Sequence, residues 1–279
     1  MESKDKFIGF VDILGFKDLV RRAEAGQGMS FAEINDAVVD LGSEEDREAI
    51  RRYGPTICPM SSRQSDDLDF QITQVADCVI VSTEVSPAGA ITLINHCWIA
   101  VFKLLRRGLM CRGHIRRGNI LHEGQRFMGT GYQQAIEREK DVMAFKRYED
   151  ERGTPFVEVD SSVINYIHDF GDECVRKILP RFVEESTDVC ALFPFNRLTD
   201  TFDIGSNFDV DAKKKEVQLI RSSIEQLKSR LHLYVDKENP NALRKLEHYE
   251  AGLNEQLRKC EQLVEMIDHL GAPFPSHRL

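Results

Sequence analysis

No Cys-x-x-Cys pair occurs in this chain of 279 residues, and its seven cysteines, at 58, 78, 97, 111, 174, 190 and 260, are scattered and odd in number. That distribution argues against a thiolate zinc site and against a disulfide framework, and it fits a reducing, cytoplasmic setting. An excess of basic residues is also missing. Lys and Arg total 37 against 46 Asp and Glu, a formal charge of −9. Nothing on that scale draws in a polyanionic backbone, so no nucleic-acid partner is expected, although a small locally basic pocket is still allowed. The opening MESKDKF lacks the apolar core of a signal peptide. The most apolar run, residues 91–105, contains His96 and Lys103 and is too short to cross a bilayer. It reads as a core helix, and no membrane insertion is expected. Internal repeats and low-complexity tracts are absent.

What is present is ordinary globular material, 42% hydrophobic and 30% charged, enough for one large domain with a smaller attachment. Residues 7–12, FIGFVD, read as a short buried strand that runs into a turn at Gly15, with a helix over 17–25. From 26 to 69 the periodicity weakens to loop around one short charged helix. Residues 70–75 and 78–83 are β-like and separated only by Ala76-Asp77, which is hairpin geometry with the aspartate at its tip. A helix over 89–106 follows, with Leu93, Cys97, Val101, Leu104 and Leu105 at helical spacing. Two strands are expected at 110–115 and 120–127, linked near Gly118. A helix then runs from Gly129 to about 148, a strand covers 156–159, and a helix spans 163–170 with Ser161 or Ser162 as its cap. This order describes an α+β domain, helices on one face of an antiparallel sheet, over residues 1–209. Residues 210–279 change character. Ile220, Ile224, Leu227 and Leu231 form one stripe, and Leu246, Leu253, Leu257, Leu263 and Ile267 another, a helical hairpin broken at 236–240.

Two carboxylates carry the chemistry. Asp12 ends an apolar strand and Asp77 tips a hairpin whose arms are apolar or hydroxylic. Strands that deliver aspartates to a common rim fix hard oxygen ligands, and magnesium or manganese held by two carboxylates needs little beyond phosphate oxygens to complete its shell. Taken singly, each aspartate also suits a turn, where its side chain accepts backbone N–H bonds.

The stretch FVDILGFKDL resembles the opening motif of class III nucleotidyl cyclases, and QVADCVIVS resembles their second metal motif, with Ala76 where the family has glycine. The match runs in order from about residue 7 to 139. It is most similar to the bacterial pyrimidine cyclases of Pycsar antiphage systems, whose RG-x-I-x-x-G is matched by Arg112, Gly113, Ile115 and Gly118. Their G-x5-A-x3-E helix is matched by Gly129, Ala135 and Glu139. The resemblance implies a class III cyclase-like, ferredoxin-like sheet. It implies two divalent cations, Mn2+ or Mg2+, bridged by Asp12 and Asp77 with the Ile13 carbonyl as a further ligand. It also implies turn amides at Leu14, Gly15 and Phe16 that meet phosphate oxygens, and a homodimer with shared active sites.

The chain departs from the purine-specific pattern: Thr73 stands where those members have lysine, and no Asn-x-x-x-Arg survives in 133–138. Arg112 is then the first candidate for transition-state charge, with Arg138, Arg116 and Arg117 behind it. Thr73, Thr130 and Gln133 are candidate readers of a pyrimidine edge, and Tyr53 a candidate stacking ring. The resemblance favours UTP as substrate, cyclic UMP as product, and a separate effector that senses it in antiphage defence. The alternatives are a cytidylate cyclase, a divergent purine cyclase, or a non-catalytic cyclase-fold protein that binds a nucleotide or partner.

Overall fold

Alternation along KDKFIGFVDI divides the central strand between two surfaces: Phe7, Val11 and Ile13 enter one core, Ile8 and Phe10 another, and Asp12 follows the second set. In the computed structural model, which describes residues 2–186, 189–200, 202–203 and 208–271, this is β1 (Lys4–Ile13). It is followed by α1 (Phe16–Glu24), α2 (Phe31–Val39), α3 (Glu44–Tyr53), β2 (Gln71–Val75), β3 (Cys78–Glu84), α4 (Pro87–Arg107), β4 (Cys111–Glu123), β5 (Arg126–Met128) and α5 (Thr130–Glu139). Then come β6 (Val157–Val159), α6 (Ser161–Phe170), α7 (Glu173–Ile178), β7 (Val183–Ser186), β8 (Val189–Leu192), α8 (Val210–Tyr234) and α9 (Pro240–Gly271).

The sheet runs β2-β3-β1-β4-β6-β8-β7, with β5 paired to the far end of β4. Only β4 and β6 are parallel; the other pairs are antiparallel. Its first four strands are ordered 4-1-3-2, the ferredoxin-like arrangement, so the expected α+β fold is the one observed. The crossover helix α4 lies on the face of Phe7, Val11, Val79 and Val81 and buries Leu93, Ile94, Cys97, Val101 and Leu104 there. At 21 residues it is long and apolar enough to cross a membrane, longer than the run read from sequence, yet most of it is buried in this core.

Helices are not confined to one face, as the sequence pattern implied. α5 crosses the opposite surface, where Ala135, Tyr132 and Ile136 meet Ile8, Phe10, Ile80 and Ile120. The crossing is close because two glycines face each other: a Cβ on Gly118 would stand 2.8 Å from the Gly131 Cα, and one on Gly131 would stand 2.6 Å from Ile8 Cδ1. Gly118 is therefore not a link between strands; β4 runs through it for 13 residues. The helix from Gly129 ends at Glu139 rather than near 148, because the following segment folds back. Thr154 donates its N–H to the Val142 carbonyl at 3.0 Å and its hydroxyl to the Ala144 carbonyl at 2.7 Å.

Residues 26–69 hold two helices instead of one. α2 opens on a capping box in which Glu33 accepts the Ser30 N–H at 2.8 Å and Ser30 Oγ accepts the Glu33 N–H at 3.3 Å. A disulfide joins Cys58 and Cys174, whose Cα atoms are 6.1 Å apart, which corrects the expectation of none. Its partners are 116 residues apart, a separation no spacing rule detects.

The carboxy-terminal hairpin forms as its stripes imply and packs on its own chain; residues 272–279 lie outside the described residues. Ile224, Leu227 and Leu231 of α8 and Leu246, Tyr249, Leu253, Cys260 and Ile267 of α9 share a second core with Leu105, Met110, Phe156, Ala191 and Phe195. That core caps the rim where β1 ends and β4 and β6 begin. Tyr249 is only 1% exposed, its ring centroid 5.2 Å from that of Phe195, and its hydroxyl accepts the Cys111 N–H at 3.4 Å. Tyr249→Ala should lower unfolding free energy by about 3–5 kcal/mol, the usual loss for emptying a large aromatic site. Equilibrium urea denaturation will read this, and a change below 1 kcal/mol would show the hairpin to be loosely docked.

Candidate active site

Asp12 is the last side chain of β1 on the α5 face, directly opposite Cys78 on β3 and Arg112 on β4. Asp77 occupies the two-residue turn between β2 and β3, beside Ala76 with φ of 52°. A backbone bond from the Ile13 N–H to the Asp77 carbonyl, 3.1 Å, clips that turn to the end of β1. The two aspartates therefore sit at one rim, near enough for the Asp77 charge to act on Asp12. Burial pushes the Asp12 carboxyl up to about 7, the negative charges of Asp77 and Glu139 push the same way, and Arg112 and Lys245 oppose them. The neighbouring Cys78 thiol is raised to about 12 by burial and by the same three carboxylates.

Glu139 was not singled out as a site residue, although it ends the helix motif that drew attention to α5. It is 4% exposed and receives Arg112 Nε in a short charge-assisted bond. The Gly118–Gly131 crossing sets this contact, since it lays α5 antiparallel along β4 and brings its last residue to the Asp12 rim. Lys245, on the second turn of α9, was missed altogether; the only sequence signal was its place in a hairpin whose docking could not be read.

The turn after Asp12 straddles the two cores: Leu14 packs into the hairpin core and Phe16 against the α4 core. Gly15 between them has φ of 76°, and a Cβ there would meet nothing within 4 Å, so the turn needs glycine for its backbone and leaves open space beside it. Gly15 also caps α1 without a side-chain bond, but the Leu14 N–H, expected to meet phosphate, donates to the Met110 carbonyl at 2.9 Å and the Asp18 N–H to the Gly15 carbonyl at 2.9 Å, so the amides left for an anion are those at Gly15, Phe16 and Lys17. A cavity of about 180 Å³ lies against this turn, lined by Leu14, Gly15, Met110, Tyr234, Asn241 and Lys245, among others.

The remaining candidates lie elsewhere in the chain. Thr73 is 2% exposed, and its hydroxyl donates to the Gly124 carbonyl at 2.5 Å and accepts from His122 Nε2 at 2.9 Å. His122 Nδ1 then accepts from Ser82 Oγ at 2.9 Å, a neutral ring whose pKa burial lowers to about 3. With its hydroxyl committed inside this network, Thr73 presents nothing to a base. Thr130 and Gln133 are exposed on the first turns of α5, beside the Asn119 end of β4. Seven residues of strand separate that end from Arg112, roughly 20 Å. Arg138 is exposed and lines a different cavity with Asp141, Lys146 and Arg152. Arg117 is paired with Asp5 at 2.7 Å, and Arg116 Nε bonds the Arg117 carbonyl at 3.4 Å. Tyr53 is 71% exposed at the end of α3, its ring 5.2 Å from the Arg52 guanidinium. Asp69, in the acidic loop, is the counter-ion of Lys4 at 3.0 Å and of the buried Lys6 at 3.2 Å.

Among the described residues no three His, Cys, Asp or Glu side chains form a cluster able to hold a metal ion. The Asp12–Asp77 pair nonetheless suits magnesium or manganese, which bind through one or two carboxylates plus substrate phosphates. The mutual repulsion recorded at Asp12 is what a divalent cation relieves.

No protein-family model matches the chain and no curated protein does. Among solved structures it is similar to the catalytic core of a rhodopsin-guanylyl cyclase with converted specificity in complex with ATPalphaS, at 13% identity and a TM-score of 0.37, over 60% of this chain and 82% of that one. It is also similar to a bacterial light-regulated adenylyl cyclase, at 14% identity and a TM-score of 0.33, over 60% of this chain and 46% of that one.

The raised Asp12 carboxyl makes a signed prediction. Between its ordinary value of 3.8 and about 7, the folded protein keeps a proton that the unfolded chain has lost, so stability falls as pH rises through that window and levels off above it. Asp12→Asn should remove this slope. Metal-free melting curves from pH 4 to 8 (about one unit apart) will then show the variant gaining on wild type with rising pH; parallel curves would mean that the carboxylates do not converge.

Proposed function

We propose that the chain is a nucleotide cyclase that converts UTP to cyclic UMP and pyrophosphate. The observation that carries this reading is the convergence of Asp12 and Asp77 at one sheet rim, beside an open glycine turn and a cavity. Asp12 and Asp77 are the residues that would hold two divalent cations, with the Ile13 carbonyl as a further ligand. When bound, such cations neutralise the triphosphate and make the ribose 3′-hydroxyl more acidic.

The chain's own residues do the rest. Free amides at the start of α1, with Gly15 allowing close approach, take phosphate oxygens and set the α-phosphorus in line with the 3′-oxygen. The new bond joins the 3′-oxygen to the α-phosphorus, the bond from that phosphorus to the bridging oxygen breaks, and pyrophosphate leaves as the hydroxyl proton is lost. Arg112 stands directly opposite Asp12 and places its positive charge beside the reacting centre; Glu139 holds its Nε and so fixes the guanidinium plane. Thr130 and Gln133 read the base from a second copy. Head-to-tail pairing about a twofold axis would bring one copy's α5 start to the other's Asp12 rim.

The choice of uracil, the role in antiphage signalling and the separate effector rest on the motif resemblance in residues 112–118 and 129–139. A second reading, a protein that binds nucleotide without turning it over, is favoured by one observation: the Arg112 Nε is already engaged by Glu139.

Incubation with each of the four ribonucleoside triphosphates and Mn2+, with products identified by mass spectrometry, decides among these readings. Cyclic UMP is expected as the main product, and Asp12→Ala or Asp77→Ala should leave less than about 1% of the rate. Cyclisation of ATP or GTP alone would refute the pyrimidine assignment. Binding without any product would establish the second reading.

A further inference from the structure

Among the described residues, Lys245 is the one cation acting on Asp12 that has no hydrogen-bond or ion-pair partner. Its two other acidic neighbours are taken: Glu139 by Arg112, and Glu151 by His248, whose Nε2 lies 2.6 Å from Glu151 Oε1. The side chain is held in position. His248 and Tyr249 follow Lys245 by three and four residues, the spacing that places all three on one face of α9. Both are anchored in the hairpin core, His248 on Glu151 and Tyr249 beneath the backbone of Cys111, the residue before Arg112. From this footing Lys245 lines the same cavity as Leu14 and Gly15, where α1 begins. The first amides of α9 at that cavity are taken by Asn239 Oδ1, from Asn241 at 3.0 Å and Ala242 at 3.4 Å, and Asp18 and Asp236 line it as well, so among its lining residues Lys245 is the group that brings positive charge. Burial and the like charge of Arg112 lower the Lys245 ammonium from its ordinary value, while Glu139, Glu151 and Asp12 counter the effect.

A half-buried ammonium with no hydrogen-bond or ion-pair partner among the described residues, beside the open glycine turn at the start of α1, is a group left over for an anionic ligand. Resting on the cyclase reading for its substrate, we infer that the carboxy-terminal hairpin completes the active site within the same chain, Lys245 binding the β- and γ-phosphates of the nucleotide and then the departing pyrophosphate. This gives residues 210–271 a role beyond support. It also supplies a phosphate-side cation to a site whose arginine is tied to a carboxylate.

The test uses the full chain, with Lys245→Met to remove the charge at similar length and Lys245→Arg to keep it. Arg244→Met is the control, since Arg244 is paired with Asp150 at 2.9 Å on the same turn. Titration calorimetry with Mn2+-pyrophosphate reads the anion site directly. Lys245→Met should weaken binding tenfold to a hundredfold, about the worth of a charge-assisted bond. Lys245→Arg should stay within a few-fold of wild type, and Arg244→Met should match it. In steady state, Lys245→Met should raise KM for the nucleotide by a similar factor and lower kcat as well. Pyrophosphate affinity within twofold of wild type in Lys245→Met, or equal losses in Lys245→Met and Arg244→Met, would overturn the inference. If wild type cyclises no nucleotide while Lys245→Met still loses pyrophosphate, the cyclase reading fails and the anion site stands. If wild type cyclises and Lys245→Met binds pyrophosphate normally, the reverse holds.

Discussion

Asp12 and Asp77 repel one another, and much of the molecule's construction serves to hold them together regardless. Asp12 is fixed because β1 is the central strand, laddered on both sides to β3 and β4. Asp77 is fixed because its turn is bonded back to Ile13. The backbone at neither position can move away without breaking that pairing. Burial, with that repulsion added to it, therefore raises the Asp12 carboxyl to about 7 in the folded state. An arrangement that lowers the stability of the empty protein makes sense where a cation relieves it, since stability and function conflict most directly at such sites.

Two packing devices then bring charge to that rim from opposite directions. Gly118 and Gly131 let α5 lie close along β4, so that Glu139 arrives at Arg112. Tyr249 and His248 dock α9 under the end of the sheet, so that Lys245 arrives from the other side. The rim thus gathers three carboxylates and two cations from elements more than two hundred residues apart. The first device makes a closed pair, Arg112 with Glu139; the second leaves a cation open. That asymmetry argues for Arg112 as a group whose orientation is set before substrate arrives, and for Lys245 as the group that responds to it.

What could be read from the sequence was what local chemistry determines. Strand alternation in FIGFVD, the two-residue gap at Ala76-Asp77, the long apolar helix and the leucine stripes after 210 each specify structure over a few residues, and each formed where expected. Errors arose where a long-range contact overrode a local signal. Gly118 looked like a break but serves a helix crossing. Thr73 looked available to a base but is committed to His122 and Gly124. Residues 140–148 continued a helical pattern until Thr154 claimed their carbonyls. Lys245 and the Cys58–Cys174 pair had no local signature at all, because their meaning lies entirely in what the fold places beside them.

The geometry of α5 also bears on how the site is shared. Its ten residues span about 15 Å along β4, with Glu139 at the Asp12 rim and Thr130 at the far end. On the proposed reading, phosphate contacts from α1, Lys245 and Arg112 come from one chain, and the exposed Thr130 and Gln133 at the start of α5 serve the nucleotide of a second copy. The hairpin and α5 would then divide the labour: Lys245 closes the phosphate end within its own chain, at the cavity against Gly15, and the start of α5 serves a neighbour.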